Sequence, residues 1–76
     1  MPNILAQRIE DELRPIVGTV LAAVSVDLEC KRIGKDPETI NRFDLPVLAD
    51  NLASQLRLVV GPDMANAAAE RVRQIA

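Results

Sequence analysis

The chain contains one long stretch without a charged side chain, residues 15 to 26, which lies between two regions of mixed apolar and polar residues. This stretch is too short to cross a bilayer, because a membrane-spanning helix needs about 20 consecutive apolar residues. We therefore expect other parts of the protein to cover it, and we expect no contact with a membrane.

A single long, kinked helix is predicted over roughly residues 3 to 33. Asn3 is suited to cap its start and Gly34 to cap its end. Proline removes a backbone donor and clashes with the preceding turn, so the kink is expected at Pro15. Apolar residues recur at spacings of three or four on both sides of the proline: Leu5, Ile9, Leu13, Val17, Val20, Val24 and Leu28.

The central part of this helix has a second apolar face, formed by Ala22, Val26, Cys30 and Ile33. Two apolar faces indicate neighbours on two sides. The alternative for residues 24 to 30 is a β-strand, because apolar and polar residues alternate there. No second alternating run of comparable length is present to pair with such a strand, so the helix is favoured.

Three further elements are predicted in the C-terminal half. A short helical turn over residues 37 to 42 begins at Asp36, and helices over residues 45 to 60 and 63 to 75 follow, the first capped by Asp44. The expected buried residues of the first are Leu45, Leu48, Leu52, Leu56 and Val59, and those of the second are Met64, Ala67, Ala68, Val72 and Ile75. No internal repeat is expected.

The predicted fold class is all-α: a small helical bundle with a long kinked N-terminal helix and two shorter C-terminal helices, in a single domain over residues 1 to 76. At this length a single core is only marginally sufficient. Phe43 is the only aromatic residue, so the core must consist of Leu, Val, Ile and Ala.

Composition excludes several classes of function. The chain has nine Lys and Arg, eleven Asp and Glu and no His, with the signs mixed along its length. Nucleic-acid binding usually requires a basic patch, so no nucleic-acid partner is expected. A lone cysteine cannot form an internal disulfide, and zinc ligands are too few. No secretory signal is recognised, and a cytoplasmic location is expected for this small acidic protein.

No catalytic, cofactor-binding or metal-binding residues are predicted, and the chain is not expected to be an enzyme. The acidic run Glu10, Asp11 and Glu12 is interpreted as a solvated helix face, because successive helical residues point in different directions. Cys30 is interpreted as a small buried residue rather than a nucleophile.

Two weak motifs in the sequence are better explained by ordinary helical structure. Residues 48 to 54 resemble the start of a helix-turn-helix, but Leu56 and Val59 continue the same helical stripe where a turn is expected. The helix start after Gly61 could receive an anion. Phosphate loops have more glycines and a lysine, so a helix-helix corner is favoured.

The predicted function is a protein-protein interaction module, homodimeric, that acts as an adaptor, regulator or subunit of a complex. The alternative is a DNA-binding transcriptional regulator. A helix over residues 3 to 33 would be about 46 Å long, whereas a domain of this size is about 30 Å across. We therefore expect a second copy to cover part of the helix, with Val20, Ala23 and Val24 at the interface, and another protein as a further partner.

Overall fold

The computed structural model describes residues 3 to 75. It contains four α-helices, α1 (Ile4–Val17), α2 (Thr19–Arg32), α3 (Leu45–Val60) and α4 (Pro62–Arg73), and a 3-10 turn (Arg42–Asp44) before α3. No strand occurs among these residues, so the predicted helix over residues 24 to 30 is confirmed and the alternative β-strand is wrong.

The predicted continuous N-terminal helix is wrong, because α1 and α2 are separate helices that meet at Gly18. Pro15 lies inside α1 and does not end it. The N–H of Gly18 donates to the carbonyl of Arg14 at 2.9 Å and closes α1. Gly18 has φ 86° and ψ 166°, a combination that essentially only glycine adopts. The glycine, and not the proline, therefore separates the two helices.

The chain folds back after Gly18, as the contacts of Asn3 show. Its side-chain oxygen accepts from the N–H of Ala6 at 2.8 Å, so the predicted cap of α1 is confirmed. Its amide group donates to the carbonyl of Ile40 at 2.9 Å, and its backbone N–H donates to Pro37 at 3.0 Å. The start of α1 is thus tied to the segment that follows α2.

The end of α2 is capped at Gly34, as predicted. Gly34 has φ 79°, its N–H donates to the carbonyl of Lys31 at 3.0 Å, and the N–H of Lys35 donates to the carbonyl of Cys30 at 2.9 Å. These two bonds form a Schellman motif, which favours glycine at this position.

The predicted short helix over residues 37 to 42 is replaced by a hydrogen-bonded turn at residues 36 to 39 and the 3-10 turn. Asp44 precedes α3, but its carboxylate does not cap that helix. It accepts from Lys35 Nζ at 2.9 and 3.1 Å and from the N–H of Asn41 at 2.9 Å. The hydrogen bond from Lys35 lowers the pKa of Asp44, so the ionised carboxylate fastens the connection to α3.

The bounds of α3 agree with the prediction. Four predicted core residues are buried, namely Leu45, Leu48, Leu52 and Leu56. The fifth, Val59, is 55% exposed, so that assignment is wrong. At the C-terminal end of α3, the helical spacing of apolar residues therefore continues into residues that are exposed to solvent.

Helix α4 begins at Pro62 and ends at Arg73, close to the predicted bounds. Ala68, Val72 and Ile75 are buried as expected. Met64 and Ala67 are exposed, and Ala65 and Ala69 are buried. The predicted face of α4 was therefore displaced by one residue in its first turns.

Helices α1 and α2 form one helical hairpin, and α3 and α4 form a second hairpin of the same design. The expectation that the chain contains no internal repeat is therefore wrong. Gly61 has φ 85° and ψ 164°, almost the values of Gly18, and likewise joins two helices. Within the hairpins α1 packs on α2 and α3 on α4, and between them α1 packs on α4 and α2 on α3. The residues identical at equivalent positions are Leu5 and Leu48, Ala6 and Ala49, Leu13 and Leu56, Arg14 and Arg57, Val17 and Val60, Gly18 and Gly61, and Ala22 and Ala65.

Burial repeats together with the sequence. In each hairpin seven equivalent positions are buried, in the first Ala6, Ile9, Leu13, Ala22, Ser25, Val26 and Glu29, and in the second Ala49, Leu52, Leu56, Ala65, Ala68, Ala69 and Val72. Both hairpins contribute to one core. The domain measures 29 × 22 × 21 Å, so the 46 Å rod on which the homodimer prediction was based does not exist.

Replacing Gly18 or Gly61 with alanine is expected to lower the free energy of unfolding by roughly 1–3 kcal/mol each. The reason is backbone strain alone, because an added Cβ would meet no atom within 4 Å at either position. Urea denaturation checks the change. Gly34→Asn is the control, since asparagine tolerates the left-handed conformation at a helix end. An unchanged midpoint for Gly18→Ala would contradict the role assigned to this corner.

Candidate functional site

The outer face of α2 carries three exposed apolar residues, Val20, Val24 and Leu28, which we call the α2 stripe. Their side chains are 78%, 52% and 44% exposed. They lie on successive turns of the helix, and Val24 points almost directly away from the buried side formed by residues such as Ala22 and Val26. The stripe is therefore the part of the uncharged stretch that the fold leaves uncovered.

The stripe includes two of the three predicted interface residues. Val20 and Val24 belong to it, whereas Ala23 is exposed one step around the helix, toward α1. All three are accessible, as a contact surface requires. The predicted second face of α2, with Ala22, Val26 and Cys30, is the face that enters the core.

Helix α4 shows that the fold does not require apolar residues at these positions. The counterparts of Val20, Val24 and Leu28 are Asp63, Ala67 and Arg71. All three are exposed, and Arg71 forms an ion pair with Glu12 across the bundle at 3.6 Å. The equivalent helix thus has an ordinary polar surface, so the α2 stripe is a property of this helix and not of the hairpin design.

On α2 itself, charged residues occur only toward the C-terminal end of the stripe. No charged residue lies between Pro15 and Val26. After Val26, the residues Asp27 and Lys31 form an ion pair at 3.0 Å on the surface of α2. The start of α2 has no side-chain cap and no acidic residue in its first turn. By contrast, α4 has Asp63 in its first turn, a favourable position for a carboxylate.

A cleft of about 460 Å³ lies beside the stripe, between α1, α2 and the turn after α2. Ala23 and Val26 form its apolar wall, and its lining also includes Pro37 and the carboxylates Glu10, Asp27, Asp36 and Glu38. No basic side chain among residues 3 to 75 lines the cleft. Within residues 3 to 75, no group of three or more His, Cys, Asp or Glu side chains is arranged to hold a metal ion.

The acidic run on α1 does not converge on one point. Asp11 pairs with Arg14 at 3.0 Å, Glu12 pairs with Arg71 at 3.6 Å, and Glu10 faces the cleft. The three carboxylates therefore have different neighbours, in agreement with their interpretation as part of a solvated helix face.

Cys30 is fully buried in the core. Burial, together with the nearby carboxylates of Asp27 and Asp36, raises the pKa of its thiol to about 11. A nucleophilic cysteine needs a thiolate at working pH, so this environment favours the interpretation of Cys30 as a packing residue.

A buried polar group that was not predicted from the sequence lies between α2 and α3. It is formed by Ser25, Glu29 and Gln55, and we call it the polar seam. The side chains of Ser25 and Glu29 are fully buried. Gln55 Nε2 donates to Ser25 Oγ at 3.1 Å. Arg32 Nε lies 3.3 Å from Glu29 Oε1 as an ion pair, but no donor in the described part of the chain makes a hydrogen bond to either Glu29 oxygen or to Gln55 Oε1.

The second hairpin is apolar where α2 contributes to the seam. Ser25 and Glu29 correspond to Ala68 and Val72, which are also buried. The signal was present in the sequence, because Ser25 and Glu29 fall three and seven positions after Ala22 and so share its face. Neither Ser25 nor Glu29 lines the cleft described above, so the seam is an internal feature of the packing and offers that cleft no chemistry.

The two weak motifs correspond to ordinary elements. Helix α3 runs unbroken from Leu45 to Val60, so no turn follows residue 53 and the helix-turn-helix interpretation is wrong. At the start of α4, Asp63 places a carboxylate in the first turn, which opposes the binding of an anion there.

Comparison with known proteins gives no family for this chain. No protein-family model matches it, no curated protein matches it, and no solved structure matches it. Among residues 3 to 75, no helix has both the length and the apolar character needed to cross a membrane.

Proposed function

We propose that the chain is a small helical protein-protein interaction module that forms a homodimer through the α2 stripe and acts as an adaptor, regulator or subunit of a complex. The observation that carries the proposal is the contrast between two equivalent helices. At the same outward positions α2 has Val20, Val24 and Leu28, whereas α4 has a charged, a small and a charged residue.

Solvent favours the pattern of α4, because exposed apolar area is unfavourable at roughly 25 cal/mol per Å². Exposed apolar side chains on successive turns of one helix form a continuous surface, and such surfaces mark sites where another protein binds. The proposed homodimer is therefore based on the exposed α2 stripe and not on the length of a helix.

A second copy is the occupant we propose, because the stripe is compatible with itself. Its residues carry no charge, and the uncharged stretch continues toward Pro15, so two copies can meet without repulsion at the centre. Two-fold symmetry is the commonest arrangement among homo-oligomers.

The test transfers the surface of α4 to α2 in the variant Val20→Asp, Val24→Ala, Leu28→Arg. Wild type is expected to show by light scattering twice the 8.3 kDa mass of one chain at high micromolar concentration. The variant should show the mass of one chain with unchanged helical circular dichroism, because α4 already carries these residues in the same setting.

The matched control is Ala67→Glu, which places a charge at the equivalent outward position of α4. It should leave the wild-type mass unchanged. A wild-type protein that remains at 8.3 kDa would overturn the homodimer. A triple variant that still has the doubled mass would overturn the α2 stripe as its interface.

A further inference from the structure

We infer that the two copies pack their α2 helices antiparallel, with the two-fold axis passing beside Val24. This inference rests on the proposed function and specifies its geometry. Val24 is the middle residue of the stripe and points away from the core. An axis beside it brings Val20 of each copy against the partner's Leu28, so all exposed apolar residues of the stripe are covered together.

Charge decides between antiparallel and parallel packing. Asp27, which precedes Leu28, and Lys31 lie at the C-terminal end of the stripe, and the N-terminal end has no charged side chain. A parallel pair would place Asp27 beside the partner's Asp27 and Lys31 beside the partner's Lys31, which is unfavourable. In the antiparallel pair each charged end lies along the uncharged end of the other copy.

The helix termini favour the same arrangement. Residues equally distant from Val24 lie level in an antiparallel pair, so the partner's Asp27 lies level with Leu21, in the first turn of α2. That turn has no acidic residue and no side-chain cap, and a helix N-terminus is stabilised by a nearby carboxylate. The partner's Lys31 lies beyond the start of α2, toward the corner at Gly18 where α1 ends, and a cation is favourable near the C-terminus of a helix.

Small residues next to the stripe permit the close approach that this packing needs. Ala23 precedes Val24 and is exposed, and Gly18 and Thr19, at the N-terminal end of the stripe, are also small and exposed.

Disulfide cross-linking in the full chain tests the register. Val24→Cys is expected to form a covalent dimer under mild oxidation, because residues on the axis meet their own copies. Val20→Cys alone and Leu28→Cys alone should not, since two copies of either residue would be about 12 Å apart along the helices and a disulfide requires a Cα separation of about 4.4–6.8 Å. An equimolar mixture of these two variants should cross-link with each other.

Two controls exclude random collision. Wild type keeps its single cysteine buried and should remain uncross-linked, and Ala67→Cys, at the equivalent position of α4, should behave likewise. Self-cross-linking of Val20→Cys and Leu28→Cys would overturn the antiparallel arrangement. A Val24→Cys protein with the doubled mass but no disulfide would overturn the register while the proposed dimer stands, whereas a single-chain mass for wild type would overturn the proposed function itself.

Discussion

Replacing Leu52 with alanine is expected to lower the free energy of unfolding by about 2–5 kcal/mol, the range measured for buried leucines. Leu52 is 1% exposed and lies in the core that all four helices share. Its counterpart in the first hairpin, Ile9, is also fully buried. A domain of this length has a total stability of roughly 4–11 kcal/mol, so the substitution removes a large part of it.

Urea denaturation followed by circular dichroism measures this loss. The matched control is Leu58→Ala on the same helix, because Leu58 is 91% exposed and surface substitutions usually change stability by less than about 0.5 kcal/mol. Equal shifts of the denaturation midpoint for the two variants would contradict the assignment of Leu52 to the centre of the core.

Replacing Glu29 with valine is expected to raise the free energy of unfolding by about 1–3 kcal/mol, the cost of a buried polar group that is left without a hydrogen bond. The Glu29 carboxylate is fully buried and receives no hydrogen bond from residues 3 to 75. Its ion-pair partner Arg32 is 61% exposed, so the attraction is weakened by solvent. Val72 occupies the equivalent position in α4.

The same denaturation measurement checks this gain. Val72→Glu is the converse variant, and it should destabilise the protein because it adds a second buried carboxylate. A loss of stability in Glu29→Val would show that the carboxylate is held more favourably than the contacts of the polar seam indicate, and that the two hairpins differ in what this position requires.

Because the chain contains a repeat, the two hairpins can be compared position by position. Equivalent buried positions hold residues of similar size, such as Leu13 and Leu56, so the core of each hairpin follows one plan. Departures from the plan are informative because the fold itself does not explain them. The two largest are the apolar stripe on α2, which supports the proposed interface, and the polar seam, whose cost Glu29→Val would measure.

Local chemistry determined a large part of the fold. The sequence predicted the bounds of α3, the cap at Asn3 and the glycine that ends α2 at position 34, because each depends on a few neighbouring residues. The core position of Leu52 was also predictable, since α3 has a single apolar face except near its end. The repeat too is present in the sequence, in pairs such as Arg14 and Arg57, although only the matching corners at Gly18 and Gly61 make these pairs evident.

Only the tertiary structure decided where the N-terminal half reverses and which face of α2 becomes the core. A glycine can continue a helix at a cost of about 1 kcal/mol, so the presence of Gly18 does not by itself predict a corner. The reversal of the chain is favoured because it lets α2 pack on α1 and α3. Helix α2 has apolar residues on opposite sides, and from their spacing alone Val20 and Val24 belong to the same apolar face as Leu13. Packing against two neighbouring helices selects the side with Ala22, Val26 and Cys30, because that side alone faces them once the chain has turned.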